Sequence, residues 1–210
     1  MPLTVIDHPL AFEQLAIMRN EASKPEHFRA ACKQLTKYVL YESYSNSATT
    51  TTTIKTPMIE AEVPVLNEPN PVVVGIWRAG QIMVDAVLDL LPESTVNHLG
   101  VFRDEETHQP EFYYKNINES LTERTVIIVD PMLATGGSAK FAIDTLKEHG
   151  AKSENIRLLC LIASAEGIKT IQDHDSKIAI AVGAIDEKLN SDAYIVPGLG
   201  DAGDRINNTL

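Results

Sequence analysis

Val126-Ile127-Ile128-Val129-Asp130-Pro131-Met132-Leu133-Ala134-Thr135-Gly136-Gly137-Ser138 reads as a wholly apolar run, an acid, a loop with paired glycines and the opening of an amphipathic segment. An unbroken apolar run suits a parallel strand buried on both faces. Residues 138–149 have helical spacing, and Gly150 supplies a common C-terminal stop. The loop between strand and helix has the chemistry of a phosphate cradle. Glycines let successive backbone N–H groups converge, and the helix N-terminus adds unpaired donors and a positive dipole end. Thr135 and Ser138 add hydroxyls, and Asp130 at the strand tip can accept hydrogen bonds from a sugar. A bare Gly-Gly pair would more often be a tight turn without a ligand; the flanking acid and hydroxyls favour a ligand. The loop holds no lysine and no Gly-Lys-Ser/Thr, so it is not a Walker loop, and the chain has no GxGxxG dinucleotide fingerprint.

The same alternation extends in both directions. Residues 72–76 form a second apolar run, followed by helical spacing at Ile82, Ala86 and Leu90 that ends before Pro92. Residues 95–102, 156–162 and 178–182 read as further strands, with a short helix over 167–172. Upstream, residues 25–42 place Phe28, Cys32, Leu35 and Val39 on one helical face, and a shorter helix spans 10–19. Residues 43–53 are polar and end in five threonines, which a linker without regular structure would also suit. β-branched residues favour strands, however, and rough alternation follows over 54–65, so a protruding β-hairpin arm over 43–66 is the preferred reading. Residues 197–203 are rich in glycine and are expected to be irregular. The whole predicts an α/β fold, a mainly parallel sheet flanked by helices, in a single domain spanning 1–210.

Bulk properties narrow the function. The chain has 210 residues, a net charge of −11 and two cysteines, Cys32 and Cys160, outside any CxxC spacing. A disulfide framework or a zinc site is not expected, and a reducing cytoplasm suits this composition. No apolar run is long enough to span a bilayer, and residues 1–19 lack a signal-peptide pattern. The acidic field argues against nucleic acid or anionic membrane as partner. A polyanionic small molecule would then need local donors and a metal ion. In parallel sheets ligands sit beyond the carboxyl ends of the strands, which directs attention to Arg78, Arg103, Asp130 and the glycine-rich tail. The six histidines form no HxxxH pair and read as surface or capping residues.

With these residues in view, the 126–138 stretch resembles the phosphoribosyl pyrophosphate (PRPP) motif of type I phosphoribosyltransferases. Its Val-Asp-Pro-Met-Leu-Ala-Thr-Gly-Gly-Ser form is similar to that of uracil phosphoribosyltransferases. A second segment, Tyr194-Ile195-Val196-Pro197-Gly198-Leu199-Gly200-Asp201-Ala202-Gly203-Asp204, resembles the uracil-binding segment of that family. Arg78-Ala79-Gly80 is similar to its pyrophosphate loop, and Arg103 with the following Asp104-Glu105-Glu106-Thr107 to another of its stretches. Glu105 and Glu106 are read as a solvated charge run. The resemblance implies the type I phosphoribosyltransferase fold and transfer of the phosphoribosyl group from PRPP to uracil, giving UMP and pyrophosphate. It further implies that Arg78 and Arg103 clamp pyrophosphate, that Asp130 holds the ribose hydroxyls, and that residues 131–138 contact PRPP, with residues 133–138 holding the 5-phosphate. It places Ile195, Gly200, Asp201 and Ala202 against uracil, with Asp201 also near PRPP. Mg2+ would enter mainly on the PRPP oxygens.

Three departures accompany the resemblance. A leucine usually stands at the position of Trp77, a smaller or aliphatic residue near Gln81, and a Phe-Gly-Thr ending where this chain has Ile206-Asn207-Asn208-Thr209-Leu210. Two alternatives stay open: the same fold acting on another base, and a regulator of this fold that binds RNA or nucleotide. The resemblance also implies a homodimer or higher homo-oligomer, for which the threonine-rich hairpin would be an arm, and raises GTP as a candidate effector.

Overall fold

Four neighbouring strands carry apolar side chains on both faces, and they set the layout. The computed structural model describes residues 3–68, 70–103, 110–117 and 120–209, with side chains undescribed at 102, 103 and 110–112. In chain order the elements are β1 (Thr4–Val5), α1 (Pro9–Arg19), α2 (Pro25–Ser43), β2 (Thr49–Lys55), β3 (Glu60–Leu66), β4 (Val72–Trp77), α3 (Gln81–Leu88), β5 (Thr95–Arg103) and β6 (Pro110–Asn116). There follow β7 (Val126–Val129), β8 (Met132–Leu133), α4 (Gly137–Glu148), β9 (Ile156–Ser164), α5 (Ala165–His174), β10 (Ala179–Asp186), β11 (Lys188–Leu189), β12 (Ile195–Val196) and α6 (Ala202–Asn207).

The central sheet runs β1-β10-β9-β7-β4-β5-β6, parallel except for β6, which pairs antiparallel with β5; β8 pairs with β9 off this path. Val73, Ile127, Leu159 and Ala181 project into one core, filled by Phe28, Cys32, Leu35 and Val39 of α2. Val74, Ile128, Leu158 and Ile180 project into the other, filled by Ala142, Ile143 and Leu146 of α4 and by Ile168 and Ile171 of α5. Alternate residues of one strand therefore feed two apolar layers, which is why these strands read as continuous apolar runs. Each fully buried aliphatic side chain contributes about 1.5–3 kcal/mol. The chain leaves β4 toward β5 on one side, while β7 lies on the other, so β4 and β7 flank a topological switch point.

The predicted strands and helices are present, with shifted ends. α1 begins at Pro9, its N-cap His8 accepting from Leu10 N at 3.2 Å. α3 ends at Leu88, so Leu90 is exposed instead of closing the helical face. Ser43 ends α2, and the threonines start strand at Thr49, whose partner across β2–β3 is Leu66. This hairpin stands apart from the main sheet, with every residue of β2 exposed. β6 was not expected. The expectation that 197–203 is irregular is overturned at its end: Ala202 and Gly203 are the first residues of α6, because Asp201 caps that helix by accepting from Asp204 N at 2.8 Å.

Candidate active site

The carboxyl ends of β4 and β7 open into a cleft of about 630 Å3 lined by Trp77, Arg78, Ala79, Val101, Tyr113, Asp130, Pro131, Met132, Asp201, Ala202 and Gly203. Segments more than a hundred residues apart meet here. A smaller hollow of about 70 Å3 adjoins it, lined by Asp130 and residues 132–139. Of the residues singled out in the sequence, Arg78, Asp130, Pro131, Met132, Asp201 and Ala202 line the cleft, and Leu133, Ala134, Thr135, Gly136, Gly137 and Ser138 line the hollow. Two behave differently. Ile195 is buried in the core, and Gly200 is exposed outside the cleft wall. Arg103 ends β5, but its side chain, like Glu105 and Glu106, lies outside the described residues.

The hollow lies along the main chain of the loop that opens α4. Gly136 caps α4 in the left-handed region at φ 85°, and a Cβ there would sit 2.9 Å from Thr170. Glycine alone meets both demands. The loop is also held from behind. Ser164, at the end of β9, donates through Oγ to Ala134 O at 2.6 Å and accepts from Gly167 N at 2.9 Å. Nothing in the local sequence marks Ser164 as part of this site; only the β8–β9 pairing brings it there. The effect is a loop held in place against the N-terminus of α4, where unpaired main-chain donors and the positive end of the helix dipole favour an anion.

Asp130 extends β7 by one residue, its N–H donating to Leu159 O at 3.2 Å. Surrounding protein crowds its carboxyl and raises the pKa from 3.8 to about 7, against the opposing pull of a hydrogen bond from Met132 N–H. A carboxyl poised near neutrality can accept from, or donate to, vicinal hydroxyls.

The tail loop is fixed by two arginines that sequence reading did not find. Arg19, the last residue of α1, grips Asp186 with both nitrogens, Nη1–Oδ2 at 2.8 Å and Nη2–Oδ1 at 2.5 Å, and Nη1 also donates to Gly198 O at 2.8 Å. Gly198 N in turn donates to Asp186 Oδ2 at 2.8 Å. Gly198 lies at φ 63°, and a Cβ there would fall 2.0 Å from Ile195 O, so the loop folds back on itself as only glycine permits. Arg205 of α6 donates to Leu199 O at 2.7 Å, to Asn20 O at 2.7 Å and to Met18 O, with its guanidinium 4.2 Å from the Phe28 ring centre. The tail is thereby bound to the end of α1, and Asp201 and Ala202 come to the cleft on a rigid support.

Among the described residues the cleft thus combines the exposed Arg78, the carboxyls of Asp130 and Asp201, and an adjoining hollow at a helix N-terminus. Among the described residues no cluster of three or more histidine, cysteine or acidic side chains could enclose a metal ion. Asp130 and Asp201 both line the cleft, which fits a divalent ion carried chiefly by ligand oxygens and touched by one or two carboxylates. No helix among the described residues is long and apolar enough to cross a membrane.

Comparison with known proteins agrees with this geometry. Residues 5–209 match the family model described as uracil phosphoribosyltransferase. The chain is 45% identical over 207 residues to a uracil phosphoribosyltransferase from Sinorhizobium fredii, covering 99% of this chain and 98% of that one. The solved structure of a protein from Aquifex aeolicus superposes with a TM-score of 0.91 at 33% identity, covering 98% of this chain and 97% of the other. An adenine phosphoribosyltransferase from Trypanosoma brucei, solved with AMP, pyrophosphate and ribose-5-phosphate, shares the fold alone, at TM-score 0.55 and 13% identity over 86% of this chain and 80% of that one.

Proposed function

The chain belongs to the uracil phosphoribosyltransferase family, with the type I phosphoribosyltransferase fold and the reaction of PRPP with uracil to give UMP and pyrophosphate, and we propose how its cleft divides that work. The observation that carries the proposal is convergence. Asp130, Pro131 and Met132 of the 126–138 segment and Asp201, Ala202 and Gly203 of the tail, remote in sequence, line one cleft together with Arg78.

Uracil N1 forms a bond to C1 of the ribose as the C1–O bond to pyrophosphate breaks. The electron pair of that bond leaves with pyrophosphate, and the sugar carbon passes through a cationic, oxocarbenium-like state. The barrier therefore lies in the leaving-group charge and in alignment of the two reactants. Arg78 holds pyrophosphate as its charge grows, since a guanidinium can pair two phosphate oxygens at once. Arg103 is proposed for the same role from the carboxyl end of the neighbouring parallel strand β5. Residues 133–138 seat the 5-phosphate, and Asp130 orients the ribose hydroxyls. Ala202 meets the edge of uracil at the cleft wall, while Ile195, buried in the core, and Gly200, outside that wall, shape the main-chain course that presents it. Asp201 stands where a proton from N1 would be taken up, directly or through water. Mg2+ bound with PRPP would neutralise pyrophosphate charge, and Asp130 and Asp201, both on the cleft wall, are the carboxylates that would touch it. We place the enzyme in the cytoplasm as a homodimer or higher homo-oligomer, with GTP as a candidate effector.

Release of pyrophosphate from PRPP should be measured with uracil, orotate, hypoxanthine and adenine in parallel. Turnover with uracil alone is expected. Turnover with another base and none with uracil would overturn the assignment of the tail.

A further inference from the structure

Trp77 ends β4 immediately before Arg78 and forms part of the cleft wall. Its indole Nε1–H donates to Gln81 Oε1 at 3.1 Å, and Gln81 Nε2 donates onward to Asp85 Oδ1 at 3.2 Å. Lys33 of α2 completes the chain, donating to Asp85 Oδ2 at 3.3 Å. The two residues that depart from the family pattern at this loop therefore touch each other. The ring is held on its faces as well. It stacks on Tyr114 of β6, with centroids 5.0 Å and planes 12° apart, and meets His98 of β5 at 4.7 Å and 31°. Gly100 makes this arrangement possible: a Cβ there would come within 2.7 Å of Tyr113 and 2.9 Å of Tyr114. Aromatic pairs at these separations favour fixed relative orientations. An indole held at its edge and on its faces leaves the adjoining backbone little freedom, and the next residue is Arg78.

We propose that Trp77, locked by Gln81, is a positioning residue for the pyrophosphate half of the donor site, fixing the course of Arg78-Ala79-Gly80 and tying it to the β5–β6 edge. The proposal rests on the reading of Arg78 as the pyrophosphate clamp. It makes PRPP affinity, and not uracil affinity, depend on the indole.

Trp77 is the only tryptophan in the chain, so its emission reports on this spot. Emission should change saturably when pyrophosphate is added with Mg2+ and stay unchanged when uracil is added alone. Gln81→Met removes the acceptor but keeps side-chain length; it should change the unliganded emission and raise KM for PRPP about fivefold, the value of one hydrogen bond. Trp77→Leu should raise it about tenfold and Trp77→Phe, which keeps a ring to stack, by less. In all three, KM for uracil should stay within about twofold of wild type, the split that separates loop positioning from general distortion. Emission blind to pyrophosphate that calorimetry shows to be bound would overturn the proposal, as would equal rises in both KM values. Gln81→Met and the emission titration decide the matter even if Trp77→Leu does not fold. Wild-type protein that forms no UMP would instead refute the functional reading, whereas active wild type with kinetically normal Trp77 and Gln81 variants refutes only this proposal.

Discussion

Replacing Asp186 with alanine tests how the tail is held. Asp186 is 4% exposed and accepts two hydrogen bonds from Arg19 and one from Gly198 N. Its loss strands the Arg19 guanidinium and leaves the Gly198 N–H unpaired in a buried place. Removing one partner of a buried ion pair costs about 3–5 kcal/mol. Arg19 is 26% exposed, so water can recover part of its solvation, and the lower end, about 3 kcal/mol, is expected. Arg19→Met combined with Asp186→Leu should cost less than the sum of the single changes, because neither partner is left as an orphan charge. The tail would also lose its anchor, so KM for uracil should rise about tenfold, roughly 1.4 kcal/mol of binding, with KM for PRPP little changed. Urea unfolding of the two singles and the double, together with both KM values, reads all of this. An Asp186→Ala protein within about 0.5 kcal/mol of wild type, the range of ordinary surface changes, would refute the reasoning. So would a rise confined to KM for PRPP.

Other predictions follow from the cradle and the two acids. Gly136→Ala forces a Cβ to 2.9 Å from Thr170 at φ 85°, and should cost about 1–3 kcal/mol by thermal unfolding as well as weaken PRPP binding; a normal midpoint would show that the loop relaxes. Asp130 is raised to about 7, so between the ordinary carboxyl value and about 7 the folded state holds a proton that the unfolded chain has released, and stability falls as pH rises across that window. The ceiling is about 4 kcal/mol, reduced to about 2 by partial exposure, and Asp130→Asn should flatten that slope in urea titrations between about pH 5 and about pH 8. Parallel curves for variant and wild type would contradict it. Asp201→Asn keeps an acceptor for Asp204 N, so the thermal midpoint should hold while kcat falls about a hundredfold; near-normal turnover would remove Asp201 as the acceptor of the uracil proton.

The sequence carried the layout of the sheet well, because β4, β7, β9 and β10 are apolar on both faces and no other placement satisfies them. The cradle was legible for a similar reason: an acid at a strand tip, paired glycines and a helix start lie in one continuous stretch. β6 was not, since its residues follow a charged run and open on Pro110. The start of α6 left a local trace that glycine content masked, as Asp201 followed three residues later by Asp204 is a helix-start pattern. The supports of the site are a different matter. Arg19, Asp186, Ser164 and Arg205 act across long separations, up to 187 residues between Arg205 and Met18, and no local spacing announces such contacts. Trp77 and Gln81 are four apart, but across a strand-to-helix turn, where the spacing rule of a continuous helix does not apply.

A structure of the protein with bound UMP asks directly whether one cleft seats both halves of the product. The phosphate should accept hydrogen bonds from main-chain N–H groups of residues 133–138, with the ribose hydroxyls at Asp130 and the uracil ring against Asp201 and Ala202 of the tail. UMP bound with its ring away from the tail, or with its phosphate outside the cradle, would contradict the assignment.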